Sequence, residues 1–283
     1  MYPPKFDYYR ANSVNEALSL LQEHAGAKVI AGGHSLIPAL KLRLSDPGTL
    51  IDIGRIGELR GITANGSSTR IGALTTHALV ATSTALPQAL TEAASWIGDP
   101  AVRNRGTVGG NIAHADPASD LPTVLTALGA TINVIGTSGE RSVAAQDFFL
   151  GLFETALQEG ELVSSIDVPS GGGGSAYAKL FNPASRYAVV GCAVQLQVEN
   201  GVCSAASVAI GGLTSHATKA TAVEAALIGK ALTEANINAA SALIGSDLGD
   251  DVMGDIHASE TYRRSVAPIY VARALSTAAA RAS

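Results

Sequence analysis

Two short stretches set glycine pairs beside small polar groups. The first is Ala31-Gly32-Gly33-His34-Ser35, directly ahead of a helix-like run that ends at Leu44. The second is Arg105-Gly106-Thr107-Val108-Gly109-Gly110-Asn111. A glycine turn leaves the backbone bare, so its N–H groups can approach an anion closely. A helix start adds amides without helical partners and a partial positive charge. Ser35 could add a hydroxyl donor and His34 a ring N–H. Taken alone, a glycine pair before a helix is weak evidence and is more often a plain turn. Neither is a P-loop, because no Lys-Ser or Lys-Thr follows, and neither is the dinucleotide G-x-G-x-x-G. Two such motifs in one domain fit a diphosphate gripped from two sides. That suits a dinucleotide better than a mononucleotide. Val at Gly33 or Gly109 is then expected to abolish binding without unfolding the chain.

The segment 113–122, AHADPASDLP, adds His114, Asp116 and Asp120. A carboxylate can accept hydrogen bonds from a ribose hydroxyl or an adenine amine, and Asp120 is assigned that contact. The His-Asp-Asp spacing also admits a metal, ranked a distant third. Ser119 is read as a helix cap and Asp116-Pro117 as a turn. Arg103 and Arg105 are either phosphate contacts or solvated surface arginines. His24 and His77 sit in helical patterns and read as ordinary surface or core histidines. Trp96 reads as a core or lobe-interface residue. Tyr187 either stacks on a planar ring or is a strand-edge tyrosine. G-x-S-x-G and H-E-x-x-H are absent, which removes the support for a self-contained hydrolase.

These residues need elements to hold them. Residues 13–24 predict a helix, with Val14, Ala17, Leu18 and Leu21 on one face and a capping box from Ser13 and Glu16. The stretch AKVIAGG predicts a buried strand entering the first glycine turn, 34–44 a short helix, and 49–54 another strand. Residues 58–74 predict a hairpin about Asn65-Gly66. Helices are expected near 75–83 and 88–97. Residues 98–122 read as a long irregular passage of the kind that carries function. A helix follows from Ser119 or Asp120, with strands near 130–135 and 161–168. The run PSGGGGS reads as a flexible connector. Beyond it, alternation and the Asn200-Gly201 turn predict a small antiparallel sheet, and 214–281 is mostly helical in pattern.

The chain has 283 residues, 47% of them hydrophobic, enough for a sizeable core and against a disordered chain. The formal net charge of −5 argues against a nucleic-acid surface, so an anionic ligand depends on local donors. No apolar run reaches the ~18 residues of a membrane span, and MYPPKFDYYR has no apolar core of a signal peptide. The two cysteines, Cys192 and Cys203, are too few for an iron–sulfur cluster or a Cys-rich zinc site. They fall in adjacent strand-like segments, so a disulfide is open to them. Two buried thiols of a cytoplasmic protein is the reading taken.

AGGHSLIPALKLRL, GALTTHALV, IGDPAVRNRGTVGGNIAHADPASDLP and SRYAVVG together resemble the FAD-binding medium subunits of the molybdenum hydroxylase family, the carbon monoxide dehydrogenase type above all. The resemblance runs over essentially the whole chain. It departs at Asn111, often Ser in relatives. It implies an α+β fold: a two-lobed FAD-binding domain of the vanillyl-alcohol-oxidase (PCMH) type at 1–170, with lobes of about 1–56 and 57–170. A Gly-rich connector at 171–175 and a sheet-plus-helices domain at 176–283 follow. It implies FAD contacts from Ile30, Ala31, Gly32, Gly33, His34, Ser35 and Leu36, and from Thr107, Gly109, Gly110 and Asn111, with His114 and Asp116 nearby. Asp120 would contact the adenosine half, and Leu162, Lys179 and Tyr187 would lie near the isoalloxazine. It further implies a large molybdopterin subunit and a small [2Fe–2S] subunit as partners in an (LMS)2 heterohexamer, and electron transfer from the clusters through FAD to an acceptor. No residue is assigned as acid, base or nucleophile. The alternatives are a stand-alone flavin oxidoreductase and a scaffold that has lost flavin. The sequence names neither the substrate of the complex nor its final acceptor.

Overall fold

The computed structural model describes residues 2–282. The first lobe is a parallel sheet of three strands, β1 (Asp7–Arg10), β2 (Lys28–Ile30) and β3 (Thr49–Asp52), in the order β1-β3-β2. Parallel strands need crossovers, and two helices supply them: α1 (Val14–Glu23) and α2 (Leu36–Lys41). Ser13 caps α1 by accepting from the Glu16 amide at 3.2 Å, and Glu16 accepts from the Asn12 amide at 2.7 Å. The helix buries Val14, Ala17 and Leu18 against Ile51 and Ile53. The glycine turn leaves the sheet at the carboxyl end of β2, the edge where open α/β sheets bind ligands.

The second lobe carries a five-stranded sheet in the order β4-β5-β10-β6-β7. β4 (Ile62–Asn65) and β5 (Ser68–Gly72) form the hairpin expected about Asn65-Gly66. Helices α3 (His77–Ala81), α4 (Gln88–Trp96), α5 (Pro100–Arg105), α6 (Val108–His114) and α7 (Asp120–Ala127) follow. The passage 98–122 is therefore not irregular: it contains α5 and α6. Their caps explain this. Asp99 accepts from the Val102 amide and Thr107 from the Gly110 amide, so each short helix has its own start signal despite the glycines. β6 (Thr131–Gly136), β7 (Gly139–Ala144), α8 (Ala145–Phe148), the small β8 (Phe149–Gly151) and β9 (Glu154–Thr155) pair, and β10 (Leu162–Pro169) complete the lobe. Its core gathers Ile71, Leu90, Val108, Ile112, Leu121, Leu125, Ile132 and Ile166.

The last domain is an antiparallel sheet of β11 (Gly174–Phe181), β12 (Ala188–Glu199), β13 (Val202–Gly211) and β14 (Thr218–Lys219). Helices α9 (Thr221–Leu227), α10 (Glu234–Ser241), α11 (Ile244–Leu248) and α12 (Glu260–Ala282) pack on it. The period of two on β12 divides its side chains. Ala193 joins the second-lobe core, whereas Cys192, Val194 and Leu196 join Val271, Leu275 and Ala278 of α12. One face of this sheet thus fastens the domain to the second lobe. Both thiols are buried and free, so Cys192 and Cys203 do not pair.

The glycine run is less of a connector than its composition suggests. An added Cβ meets nothing at Gly171 and Gly172. At Gly174, already in β11, it would lie 2.6 Å from the Ala282 amide nitrogen, and at Gly173 it would run into the Leu196 carbonyl. The first two glycines span the gap, and the last two admit close backbone packing.

Candidate functional site

The two glycine turns meet. A Cβ on Gly32 would fall 2.9 Å from Gly106 Cα and on top of the Arg105 carbonyl. A Cβ on Gly110 would face Ala31 Cβ at 3.9 Å. Gly33 has φ +74°, a left-handed conformation that other residues adopt only with strain. Bare backbone is thus required at the first turn, both for its own path and for contact with the second.

Their donors differ. The amides of Gly32, Gly33, His34 and Ser35 donate to no protein group among the described residues. Ser35 stands at the start of α2 without making a side-chain cap. That helix has six residues, so the donors belong to the turn and owe little to a helix dipole. In the second turn the amides of Val108 and Gly109 go to Thr75 O at 3.0 Å and Ala73 O at 2.8 Å. Those of Gly110 and Asn111 go to Thr107 Oγ1 at 3.2 Å and Thr107 O at 3.0 Å. Gly109 is buried, and a Cβ there would sit 2.5 Å from Ala73 Cβ. The expectation for Gly109 is corrected accordingly: its missing side chain lets α6 seat on the end of β5, and Val there would strain the fold. Gly110 is exposed and faces the first turn.

Asn111 Oδ1 accepts from Ser119 Oγ at 2.7 Å, so Ser119 braces α6 and makes no side-chain cap to α7. Asp116 Oδ1 accepts from the Ala118 amide at 2.9 Å, the predicted turn. His114 packs its ring at 5.1 Å from that of Phe153, on the β8–β9 connection.

Asp120 has other partners than the sequence assigned. It is 4% exposed, accepting from Tyr177 Oη at 2.6 Å and from Lys179 Nζ at 2.8 Å. Burial raises the Asp120 carboxyl and lowers the Lys179 ammonium in pKa, and each opposes the other's neutralisation. Lys179 Nζ also reaches Trp96 O at 3.4 Å, and Trp96 and Tyr177 rings lie 5.9 Å apart. This knot joins α4 and α7 to β11, tying the two domains. In this arrangement Asp120 is enclosed and does not face the glycine turns as an open ribose acceptor. Leu162 is buried in the first-lobe core with Ile53 and Leu74, away from solvent. Tyr187 is exposed at the start of β12.

One residue of the site escaped the sequence reading. His77, at the start of α3, donates its amide to Gly106 O at 3.1 Å. Its ring edge lies where a Gly106 Cβ would go, 2.7 Å from Cδ2 and 2.9 Å from Nε2. Its Nδ1 is buried without a partner. Burial first, and then His34, push its pKa down to about 4. Thr76 as the α3 cap, paired across a bridge to Thr107, puts it there. That long-range bridge leaves no mark in sequence. Among the described residues no three His, Cys, Asp or Glu side chains cluster to hold a metal.

Residues 4–171 match the family described as the FAD binding domain in molybdopterin dehydrogenase, and 175–278 match the CO dehydrogenase flavoprotein C-terminal domain. The chain is 40% identical over 289 residues to the carbon monoxide dehydrogenase medium chain of Hydrogenophaga pseudoflava, covering 99% of both. It is 38% identical to the glyceraldehyde dehydrogenase medium chain of Sulfolobus acidocaldarius, over 97% of this chain and 98% of that one. The solved carbon monoxide dehydrogenase of Hydrogenophaga pseudoflava superposes with a TM-score of 0.95 at 41% identity, covering 100% of each chain. By matches that leave almost no residue uncovered, the chain belongs to the FAD-binding medium subunits of the molybdenum hydroxylase family, of the carbon monoxide dehydrogenase type, and FAD is its cofactor.

Proposed function

We propose that the chain holds the FAD diphosphate across the two glycine turns and passes electrons from the [2Fe–2S] clusters of a small partner subunit to an external acceptor. The observation that carries this is the juxtaposition of four unpaired amides, Gly32 to Ser35, with the exposed Gly110. A diphosphate is an anion with several acceptor oxygens, and free amides on a glycine turn are the donors it needs. The residues present fit it: Gly110, exposed and without a side chain, faces Ala31 of the first turn, whose unpaired donors follow directly.

In this reading Gly33 shapes the first turn, Ser35 and His34 add side-chain donors, and Thr107 fixes the second turn. Ile30, Ala31 and Leu36 flank the diphosphate, and Asn111, His114 and Asp116 line the continuation of the cleft. Asp120 and Lys179 act as the buried tie beneath the cofactor, with Tyr187 exposed for contact with its ring. The bound flavin supplies the redox chemistry, and the chain supplies binding, orientation and electrostatics. The clusters and molybdenum sit on partners: a large molybdopterin subunit and the small iron–sulfur subunit, assembled as (LMS)2. Support comes from the two buried free cysteines, which offer no cluster site. A cytoplasmic location is our reading of the same thiols. The relatives' names include carbon monoxide and glyceraldehyde dehydrogenases, so the substrate is set on the molybdenum subunit.

The test is the absorption spectrum of the purified chain and of the Gly110→Val variant. The chain should carry flavin, or take it up from added FAD. The variant should lose FAD affinity by an order of magnitude or more with its circular dichroism unchanged. Full flavin occupancy in a folded Gly110→Val protein removes the diphosphate from this place.

A further inference from the structure

The imidazole of His77 has no part in the reading above. It is 3% exposed, and its Nδ1 is buried without a partner, which is unfavourable for a polar atom. Such an atom in a native fold calls for a reason. The ring lies under Gly106, and on the other side Gly106 Cα stands 2.9 Å from the place of a Gly32 Cβ. His77 is therefore the floor at the point where the two turns touch.

The charges around it are committed elsewhere. On α5, Asp99 caps its own helix, Arg103 donates to Ile97 O and Gly98 O, and Arg105 is exposed. On α4, Glu92 pairs with Arg281. From the first turn His34 acts on it electrostatically, and with the same sign when charged. None of these is a carboxylate bonded to His77, so only an incoming anion would favour its protonated form.

We infer that His77 is a proton-taking support of the diphosphate cradle, neutral in the flavin-free chain and taking up a proton at mildly acidic pH when the FAD diphosphate docks over Gly32 and Gly106. This rests on the placement of the diphosphate proposed above. By reciprocal linkage, a group that gains a proton on binding makes binding tighter at lower pH. An anion at close range raises a pKa by roughly one to three units. From a starting value of about 4, a rise of about two units makes FAD bind about tenfold more tightly at pH 5 than at pH 7.

The experiment is calorimetric titration of the flavin-stripped full chain with FAD between pH 5 and pH 7, in buffers of different ionisation heat. The expected result is proton uptake at pH 5 and the affinity rise, both lost in His77→Gln and kept when the exposed His257, outside the cradle, is changed to Gln. A His77→Gln chain that binds FAD with the wild-type uptake overturns the inference. Selective labelling of the wild-type imidazoles gives the same answer without a variant: the His77 titration must move up with FAD present, and an unmoved titration overturns the inference. FAD binding without proton uptake sinks this inference alone. A chain that binds no FAD sinks the diphosphate placement with it.

Discussion

The two glycine turns look alike in sequence and do opposite jobs in the fold. The turn at 31–35 keeps its amides unpaired and bends through a left-handed Gly33. The turn at 105–111 uses its amides on the segment that follows β5 and on its own cap, and buries Gly109 against Ala73. Unpaired backbone donors are retained where water or a ligand can satisfy them, and buried ones are paired within the protein. The first turn is thus built for something outside the chain, and the second is built mainly to hold the first in place. Asp120 and Lys179, beyond α6, carry the inward-facing character to its limit: both charges are buried and spent on each other.

The sharpest break of this comparison comes at its inward extreme. Lys179→Met leaves the Asp120 carboxylate buried with only Tyr177 as partner. Removing one member of a buried pair costs about 3–5 kcal/mol. Chemical denaturation of the flavin-free chain should show a loss of that order, and a loss under ~1 kcal/mol would mean the pair is not a structural tie.

Next in size is the pH response of His77. Its folded pKa of about 4 lies below the ordinary imidazole value of 6.5, so between those values the unfolded chain binds a proton that the folded chain does not. Stability is fully present above about pH 6.5 and falls as pH drops toward 4, by up to about 3 kcal/mol. His114, also lowered by burial, adds in the same direction. The diagnostic is therefore the difference in slope: His77→Gln should flatten the fall relative to wild type in urea melts across this window. An equal slope in both proteins would falsify the assignment of this titration to His77.

Much of the local structure was legible. Ser13 and Glu16 announced α1, and the turns at Asn65-Gly66 and Asn200-Gly201 announced their hairpins, because Gly66, Asn200 and Gly201 take positive φ. Gly33 was visible for the same reason, its positive φ being a local requirement, whereas distant backbone sets the need for Gly32 and Gly109. What stayed hidden depended on partners far along the chain. Tyr177 and Lys179 lie 57 and 59 residues from Asp120, and no spacing rule connects them. His77 looked ordinary because the Thr76–Thr107 bridge that carries it under Gly106 forms only in the folded lobe. Helices α5 and α6 were hidden by the glycine and proline content of 98–122, which outweighed the Asp99 and Thr107 caps. The four glycines at 171–174 share one composition, and only the neighbours of each separate open spacer from packed strand.

The smallest expected effect on stability gives the cleanest comparison of the two sides of the second turn, because one substitution type is placed at adjacent positions. Gly109→Val pushes a side chain into Ala73, whose Cα and carbonyl oxygen are both 2.9 Å from the added Cβ. Backbone cannot rotate aside, so overpacking there costs about 1–3 kcal/mol, and thermal melting of the flavin-free chain should drop by several degrees. Gly110→Val meets mainly Thr107 Oγ1 at 2.8 Å, a side-chain atom on an exposed surface. Its cost to the flavin-free chain should stay near ~1 kcal/mol, the scale of one weakened helix cap. The two variants should therefore separate by assay: Gly109→Val lowers melting temperature first, and Gly110→Val lowers FAD affinity first. Equal losses of stability in both would mean that Gly110 also serves packing. The outward side of the second turn would then lose its distinction from the inward one.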